Sequence, residues 1–277
     1  MRRQIVIAGI VGLVLVWSGR AEGQLWGPPK ADLWPRWEQH DPADTRSVDH
    51  RAWDALLQRY LDVRHPSGIH RVSYRAVTPG DRGALEEYLA RLQATPISGY
   101  RRPEQQSYWI NLYNALTVKV ILDHYPVKSI RSIKPSFLSL GPWDIKLITV
   151  EGQRLSLNDI EHRILRPIWK DPRVHYALNC ASLGCPNLAA VAYTAENLDR
   201  LLTEAAVAFV NHPRGASFRN GRLHVSSIYD WFQADFGGSV MGILDHLRQY
   251  ARGELARRLE AYDGRLEDSY DWALNEP

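Results

Sequence analysis

The fold turns on Pro103-Glu104-Gln105-Gln106-Ser107-Tyr108-Trp109-Ile110-Asn111-Leu112-Tyr113-Asn114-Ala115-Leu116-Thr117-Val118-Lys119-Val120-Ile121-Leu122-Asp123-His124. Pro103 suits the first turn of a helix, where its missing N–H costs nothing. Tyr125-Pro126 ends the run. Trp109, Ile110, Leu112, Tyr113, Leu116, Val120 and Ile121 spread around nearly the whole helical circumference. A helix that is apolar on every side is buried on every side, so this one is central. Upstream, Trp53, Leu56, Leu57, Tyr60 and Leu61 recur at helical spacing and predict an amphipathic helix over 48–62. Val72 to Val77 alternates as a short strand would, and Asp81 to Leu92 reads as a helix burying Leu85, Tyr88, Leu89 and Leu92. Downstream, Ile145 to Val150, a Glu151-Gly152 turn and Gln153 to Leu155 read as a hairpin. Ser156 and Asp159 resemble a capping box for a helix through Leu165. Val174 to Leu178 reads as a strand. Thr194 caps a helix with Leu198, Leu201, Leu202, Ala205 and Phe209 on one face. Asn220-Gly221 is a strong hairpin turn between Phe218 and Leu223. Ser227 and Asp230 cap a short helix, and helices follow the Gly237-Gly238 break near 240–262. The sum is a single α+β domain over 48–277, with a central buried helix, mostly antiparallel strands and a helical C-terminal part.

The chain has 277 residues, 45% hydrophobic and 23% charged, which excludes disordered and collagen-like classes. Lys and Arg number 34 against 31 Asp and Glu. Arg2, Arg3, Arg20 and Glu22 fall in residues 1–23, leaving 31 basic against 30 acidic beyond them. Such a balance argues against a general pull toward nucleic acid or anionic lipid. Residues 1–23 read as a signal peptide: a basic start, thirteen apolar residues from Ile5 to Trp17, then small residues. The expectation is export to a periplasmic or extracellular compartment, with no stable membrane span after cleavage. Residues 24–47 are rich in Pro and Trp and read as an irregular lead-in strapped onto the domain. Ten Trp and thirteen Tyr against five Phe suit clefts, although core packing is their commoner use.

The stretch from Asp171 to Pro186 holds both cysteines, Cys180 and Cys185. Pro186 at a first helical position would make Cys185 the N-cap of a short helix over Asn187 to Val191. A thiol there feels the positive end of the helix dipole and ionises more readily. His175 is the nearest candidate base; on a strand it shares a face with Ala177 and Asn179. His162 is the second, oriented by Asp159 or Asn158. Glu161 beside it belongs to the same group, although adjacent helical residues do not face each other. Four readings of the cysteines stay open. They form a disulfide, they supply a nucleophile with His175 or His162, they bind metal with both histidines, or they are unrelated buried thiols. The His162, His175, Cys180 and Cys185 spacing matches no standard zinc pattern, so no metal or other cofactor is expected.

Asn111 and Asn114 lie one turn apart on the central helix. Buried amides need partners. They either tie the helix to neighbouring backbone or line a cleft with Cys185 and hold a substrate carbonyl, together with Asn179 and Ser182. For an enzyme, the expected chemistry is cysteine-dependent acyl transfer or amide hydrolysis. Cys185 would then be the nucleophile with Cys180 second, His175 or His162 the base, and Asn114 an orienting or oxyanion group. The rival is a non-catalytic binding module with a structural Cys180–Cys185 bridge. The ligand class is a small molecule or peptide.

Trp109 through Leu116, Leu155 through His162, His175 through Pro186 and the ending Tyr270-Asp271-Trp272-Ala273-Leu274-Asn275 resemble the family known as domain of unknown function 547. The resemblance runs over about residues 50–275 and implies no assigned activity. The chain also bears a fainter likeness to papain and transglutaminase folds, with the usual Cys-before-His order broken.

Overall fold

The computed structural model describes residues 29–136 and 139–277. The expected signal peptide and the first part of the lead-in, including Trp26 and Pro28, lie outside them. From Pro29 onward the lead-in is strapped down as expected. Asp32 and Trp34 donate backbone N–H groups to the carbonyls of His162 (2.9 Å) and Arg163 (3.0 Å), and Trp37 is buried edge-on against Trp109.

Helices α1 (Arg51–Tyr60), α2 (Pro79–Ala94) and α3 (Arg102–His124) form the first body. Between α1 and α2, β1 (Leu61–Asp62) pairs antiparallel with β2 (Arg71–Val72). The helix α2 begins earlier than the apolar pattern suggests, because Thr78 caps it: its Oγ1 accepts the N–H of Asp81 at 3.1 Å. The α3 helix is central, and nearly every side chain from Glu104 to Leu122 is buried. The expected strand over Val72 to Val77 stops at Val72. Residues Tyr74–Ala76 form a 3-10 turn instead, with the Tyr74 hydroxyl drawn inward to Asn275 Oδ1 at 2.8 Å.

Strands β3 (Ile148–Val150) and β4 (Gln153–Leu155) form the expected hairpin. The expected capping box follows: Ser156 N–H donates to Asp159 Oδ2 at 2.8 Å, and Asp159 N–H donates back to Ser156 Oγ at 3.2 Å. The segment it opens, Asp159–Leu165, is π-helical and runs into α4 (Arg166–Trp169). The expected strand over Val174 to Leu178 is a helical turn, α5 (Val174–Ala177). Asp171-Pro172 starts it, with Asp171 Oδ1 accepting the N–H of Arg173 at 2.9 Å. All four residues of α5 are buried. That burial removes the periodicity by which a short strand and a short helix are told apart.

The second body contains α6 (Leu198–Val210), β5 (Ala216–Arg219), β6 (Arg222–Ser226), α7 (Ile228–Trp231), α8 (Val240–Tyr250), α9 (Gly253–Glu260) and β7 (Leu266–Ser269). The β5–β6 pairing is antiparallel around Asn220 (φ 50°) and Gly221 (φ 79°), the two left-handed residues that a tight hairpin needs. The β6–β7 pairing is parallel. Asn197, not Thr194, is the N-cap residue of α6, and Thr194 stands three residues before it. Ser227 does not cap α7 with its side chain; its hydroxyl donates to Asp268 at 2.6 Å. Two buried hydrophobic clusters result, one around α3 and one around β6 and α8. The molecule is an α+β fold, and its main cavity opens between these clusters.

Candidate functional site

The cavity measures about 560 Å³. Tyr113, Leu178 and Trp143 reach it from the first cluster, and Ile228, Trp231, Phe232 and Tyr270 from the second. One wall is aromatic. Trp272 stacks on Trp231 at 5.5 Å and meets Tyr270 at 4.6 Å and Trp143 at 5.8 Å, while Arg131 lies over its ring at 5.1 Å. Among the described residues Trp143, Trp231 and Trp272 face the cleft, while Trp37, Trp53 and Trp109 pack the core.

The floor carries two clusters of chemistry. The first is built on the π-helical turn. Glu161 and His162 both line the cavity, contrary to the divergence expected of helical neighbours, and His162 Nδ1 lies 4.0 Å from Glu161 Oε1. The wider π turn permits this; such turns recur at functional sites. His175 comes from α5, with Nδ1 3.8 Å from Glu161 Oε1 and Nε2 2.7 Å from Asp235 Oδ2. Phe232 stacks on its ring at 4.3 Å. Arg166 Nε donates to the same Asp235 oxygen at 2.6 Å. Burial pushes the Asp235 carboxyl up, but the bonds from His175 and Arg166 outweigh it and hold it well below the ordinary carboxylate range. An ionised carboxylate only accepts, so His175 Nε2–H is the donor to Asp235 and Nδ1 is the nitrogen turned toward Glu161. Neither Asp159 nor Asn158 orients His162. Asp159 is bound to Ser156, Lys146 and Arg163, and Asn158 donates to Asp144 at 2.8 Å. His162 Nδ1 instead accepts from Arg166 at 2.9 Å.

The second cluster is the cysteine loop. Cys180 and Cys185 are free, with sulfurs 2.6 Å apart; a disulfide bond is about 2.05 Å. The structural bridge of the binding-module reading is therefore not present. Cys185 accepts the Cys180 N–H at 2.9 Å, and Cys180 Sγ lies 3.1 Å from both Ser182 Oγ and Tyr270 OH. Burial alone would raise the Cys185 thiol. Hydrogen bonds from Cys180 and Tyr270 and the charge of Arg214 reverse this and hold it below the ordinary thiol value. Burial and the adjacent Cys185 push Cys180 well above that value. No helix forms over Asn187 to Val191, so Cys185 caps none. The chain there is held extended by Asn179 Nδ2 on the Pro186 carbonyl (2.7 Å) and by Asn187 Oδ1, which accepts from His70 N and Arg214 Nη2. The C-terminal segment clamps the loop. Gly184 and Leu183 donate to the carbonyls of Asp271 and Ala273, each at 2.8 Å, and a Cβ on Gly184 would lie 2.8 Å from the Asp271 nitrogen.

Asn111 and Asn114 are placed as ties, not in the cavity lining. Asn111 exchanges two hydrogen bonds with the backbone of Tyr193, at 2.7 and 3.0 Å. Asn114 donates to the Ala177 carbonyl and accepts the Asn179 N–H, both at 2.9 Å. Asn179 Oδ1 in turn accepts the Ala181 N–H at 2.9 Å, and Ser182 donates to Tyr270 at 3.0 Å. Asn114, Asn179 and Ser182 shape the loop from behind, Asn111 anchors the chain beyond it at Tyr193, and none of the four lines the cavity. The cavity brings together Glu161, His162, His175, Cys180 and Cys185. Sequence reasoning missed Asp235 and Arg166, which carry no local motif, and read Tyr113, inside the Trp109 to Leu116 motif, only as a buried residue of the central helix. Tyr270 lies within the C-terminal signature and was legible only as part of it. Among the described residues no histidine is hydrogen-bonded to either sulfur, and no group of three or more His, Cys, Asp or Glu is placed to hold a metal ion.

Burial pushes His50, His162 and His246 down to about 4. The unfolded chain takes up a proton at each near pH 6.5, where the folded chain does not. Stability is therefore full above pH 6.5, falls as the pH drops toward 4, and levels off with respect to these groups below that. Each site accounts for roughly 3 kcal/mol over the interval. Urea midpoints measured from pH 7.5 to 4 should show this slope; a flat profile would contradict the neutral burial of the three rings.

The segment 97–210 matches the family model described as Protein of unknown function, DUF547. It carries α3, the capping box, the cysteine loop and α6, a narrower span than the 50–275 of the sequence resemblance. Tyr270 completes the cavity from beyond it, and Asp235, also beyond it, holds His175. No curated protein matches the chain. No solved structure matches it either. Among the described residues no helix is long and apolar enough to cross a membrane.

Proposed function

We propose that the cavity is the active site of a cysteine-dependent acyl-transfer or amide-hydrolysing enzyme. The supporting observation is that a thiol held below its ordinary pKa and a carboxylate-oriented imidazole open onto one aromatic-walled cavity. Cys185 is the nucleophile. Its sulfur attacks the carbonyl carbon of the bound substrate as the thiol proton passes to His175 Nδ1; the C–S bond forms, the bond to the leaving group breaks, and the leaving amine or alkoxide takes that proton. Water then attacks the thioester with His175 Nδ1 accepting its proton, the C–S bond breaks, and that proton returns to the Cys185 sulfur. Asp235 keeps His175 in that tautomer, and Glu161 faces Nδ1 and stabilises the imidazolium. The reacting groups themselves stand between His175 and the sulfur and carry the proton between them. The aromatic wall suits a peptide or a small apolar acyl group. The basic start and apolar run of residues 1–23 support export to a periplasmic or extracellular setting.

Incubation with activated acyl esters and peptide esters tests the reading. A covalent acyl adduct on Cys185, followed by turnover, is the expected result; no adduct on any cysteine across the panel sinks it. Asp235→Asn should lower kcat by about a hundredfold or more with little change in KM, because the amide turns the His175 tautomer around. A KM effect alone would make Asp235 a binding residue and remove His175 from the proton relay.

A further inference from the structure

The two cysteines have a relation that acyl-transfer chemistry alone does not call for. A thiol that serves acyl chemistry alone pairs with a histidine. Here the nearest partner of each sulfur is the other sulfur, 2.6 Å away, within one five-residue loop step. Both sulfurs line the cavity. The loop is held from outside: Asn114 and Asn179 fix its entry, and the Tyr270 to Asn275 segment clamps its far side. The pair can therefore close or open without a change in the backbone ties around it. The surroundings of the two sulfurs also differ. Cys185 receives hydrogen bonds and lies near the Arg214 guanidinium, whereas Cys180 is the group that keeps its proton.

We propose that Cys180 and Cys185 form a redox-active dithiol that exchanges with small-molecule disulfides entering the cavity. The Cys185 thiolate attacks one sulfur of the incoming disulfide. A mixed disulfide forms, the donor's S–S bond breaks, and the first thiolate leaves and is protonated. Cys180 then gives up its proton, and its sulfur attacks Cys185 Sγ. The intramolecular bond forms and the second thiol departs with that proton. The protein loses two electrons and two protons, and the donor disulfide is reduced to two thiols. Cys185 acts as the attacking thiol because a thiolate is the nucleophile, and Cys180 resolves because it is already in contact. The class of ligand is a low-molecular-weight disulfide, since the sulfurs lie on the floor of a cavity of about 560 Å³ and Cys185 is only 4% exposed. A disulfide held within a folded protein could not reach the buried Cys185, although Cys180 is half-buried.

The full-length protein equilibrated with glutathione buffers, quenched by alkylation and weighed intact, tests this. The expected result is passage from two alkylated thiols to none over about a hundredfold change in the ratio of squared glutathione to its disulfide, reversible in both directions. Cys180→Ser should trap glutathione on Cys185, and Cys185→Ser should react at least tenfold more slowly. A pair that stays dithiol in excess oxidised glutathione overturns the proposal. So does a bridge that excess glutathione cannot open, or faster capture at Cys180 than at Cys185. No acyl substrate is involved. Exchange without ester turnover would sink the hydrolase reading alone, and turnover in a protein that never bridges would sink this one alone.

Discussion

Replacement of Cys185 by alanine is expected to abolish turnover, by at least about a thousandfold, while the protein remains folded. The stability cost is small. The thiol behaves as a small apolar group, and its loss leaves only a shallow void. One partner is orphaned, the Cys180 N–H that donates to the sulfur at 2.9 Å. Together these cost about 2 kcal/mol, or a drop of roughly 4–8 °C in Tm. Calorimetry and ester turnover on the same preparation separate the two quantities. A large drop in Tm with turnover retained would mean that the sulfur is a packing element and that the chemistry lies elsewhere. Cys180→Ala is the control for position: it removes a neighbour of the same size and leaves a sulfur at 185.

The second large effect is on folding. Asn114→Ala is expected to destabilise the protein by about 3–5 kcal/mol. The amide holds the Ala177 carbonyl and the Asn179 N–H, two buried backbone groups that have no water to turn to. Each orphaned group costs about 1–3 kcal/mol, and the cavity left by the side chain adds to that. Asn111→Ala should behave similarly, because its amide makes the same two-way tie to Tyr193. Urea denaturation measures both. An oxyanion role for Asn114 would instead reduce kcat with an unchanged urea midpoint, and that outcome would reverse the assignment made from the geometry. The two predictions are complementary: one residue carries chemistry with little stability, the other stability with no place in the cavity lining.

Much of the framework was readable from local rules. The all-round apolar character of α3 announced its burial, and Ser156 with Asp159 announced a capping box whose two reciprocal bonds are present. Asn220-Gly221 announced its hairpin, because a tight turn needs left-handed backbone at both positions. What misled was short and fully buried. Val174 to Leu178 has no exposed face, so its pattern could not distinguish a strand from the helical turn that Asp171-Pro172 starts. The expected helix after Pro186 failed for a related reason. Proline permits a helix start, but Asn179, His70 and Arg214 claim the backbone and side chains that a helix there would need.

The sequence by itself determined the α+β class and the central helix, and it singled out Glu161, His162, His175, Cys180 and Cys185 as candidates along with the stretch that holds the thiols. Local propensity and periodicity act over a few residues, and these features are local. Tertiary structure alone decided which histidine is oriented, because Asp235 reaches His175 across sixty positions of chain. It alone placed Tyr270 on Cys180 from ninety positions away, and turned Asn111 and Asn114 into backbone ties rather than substrate contacts. The ionisation of a buried thiol or carboxyl depends on which charges and donors surround it in three dimensions. That information appears only once the two hydrophobic clusters have closed around the cavity.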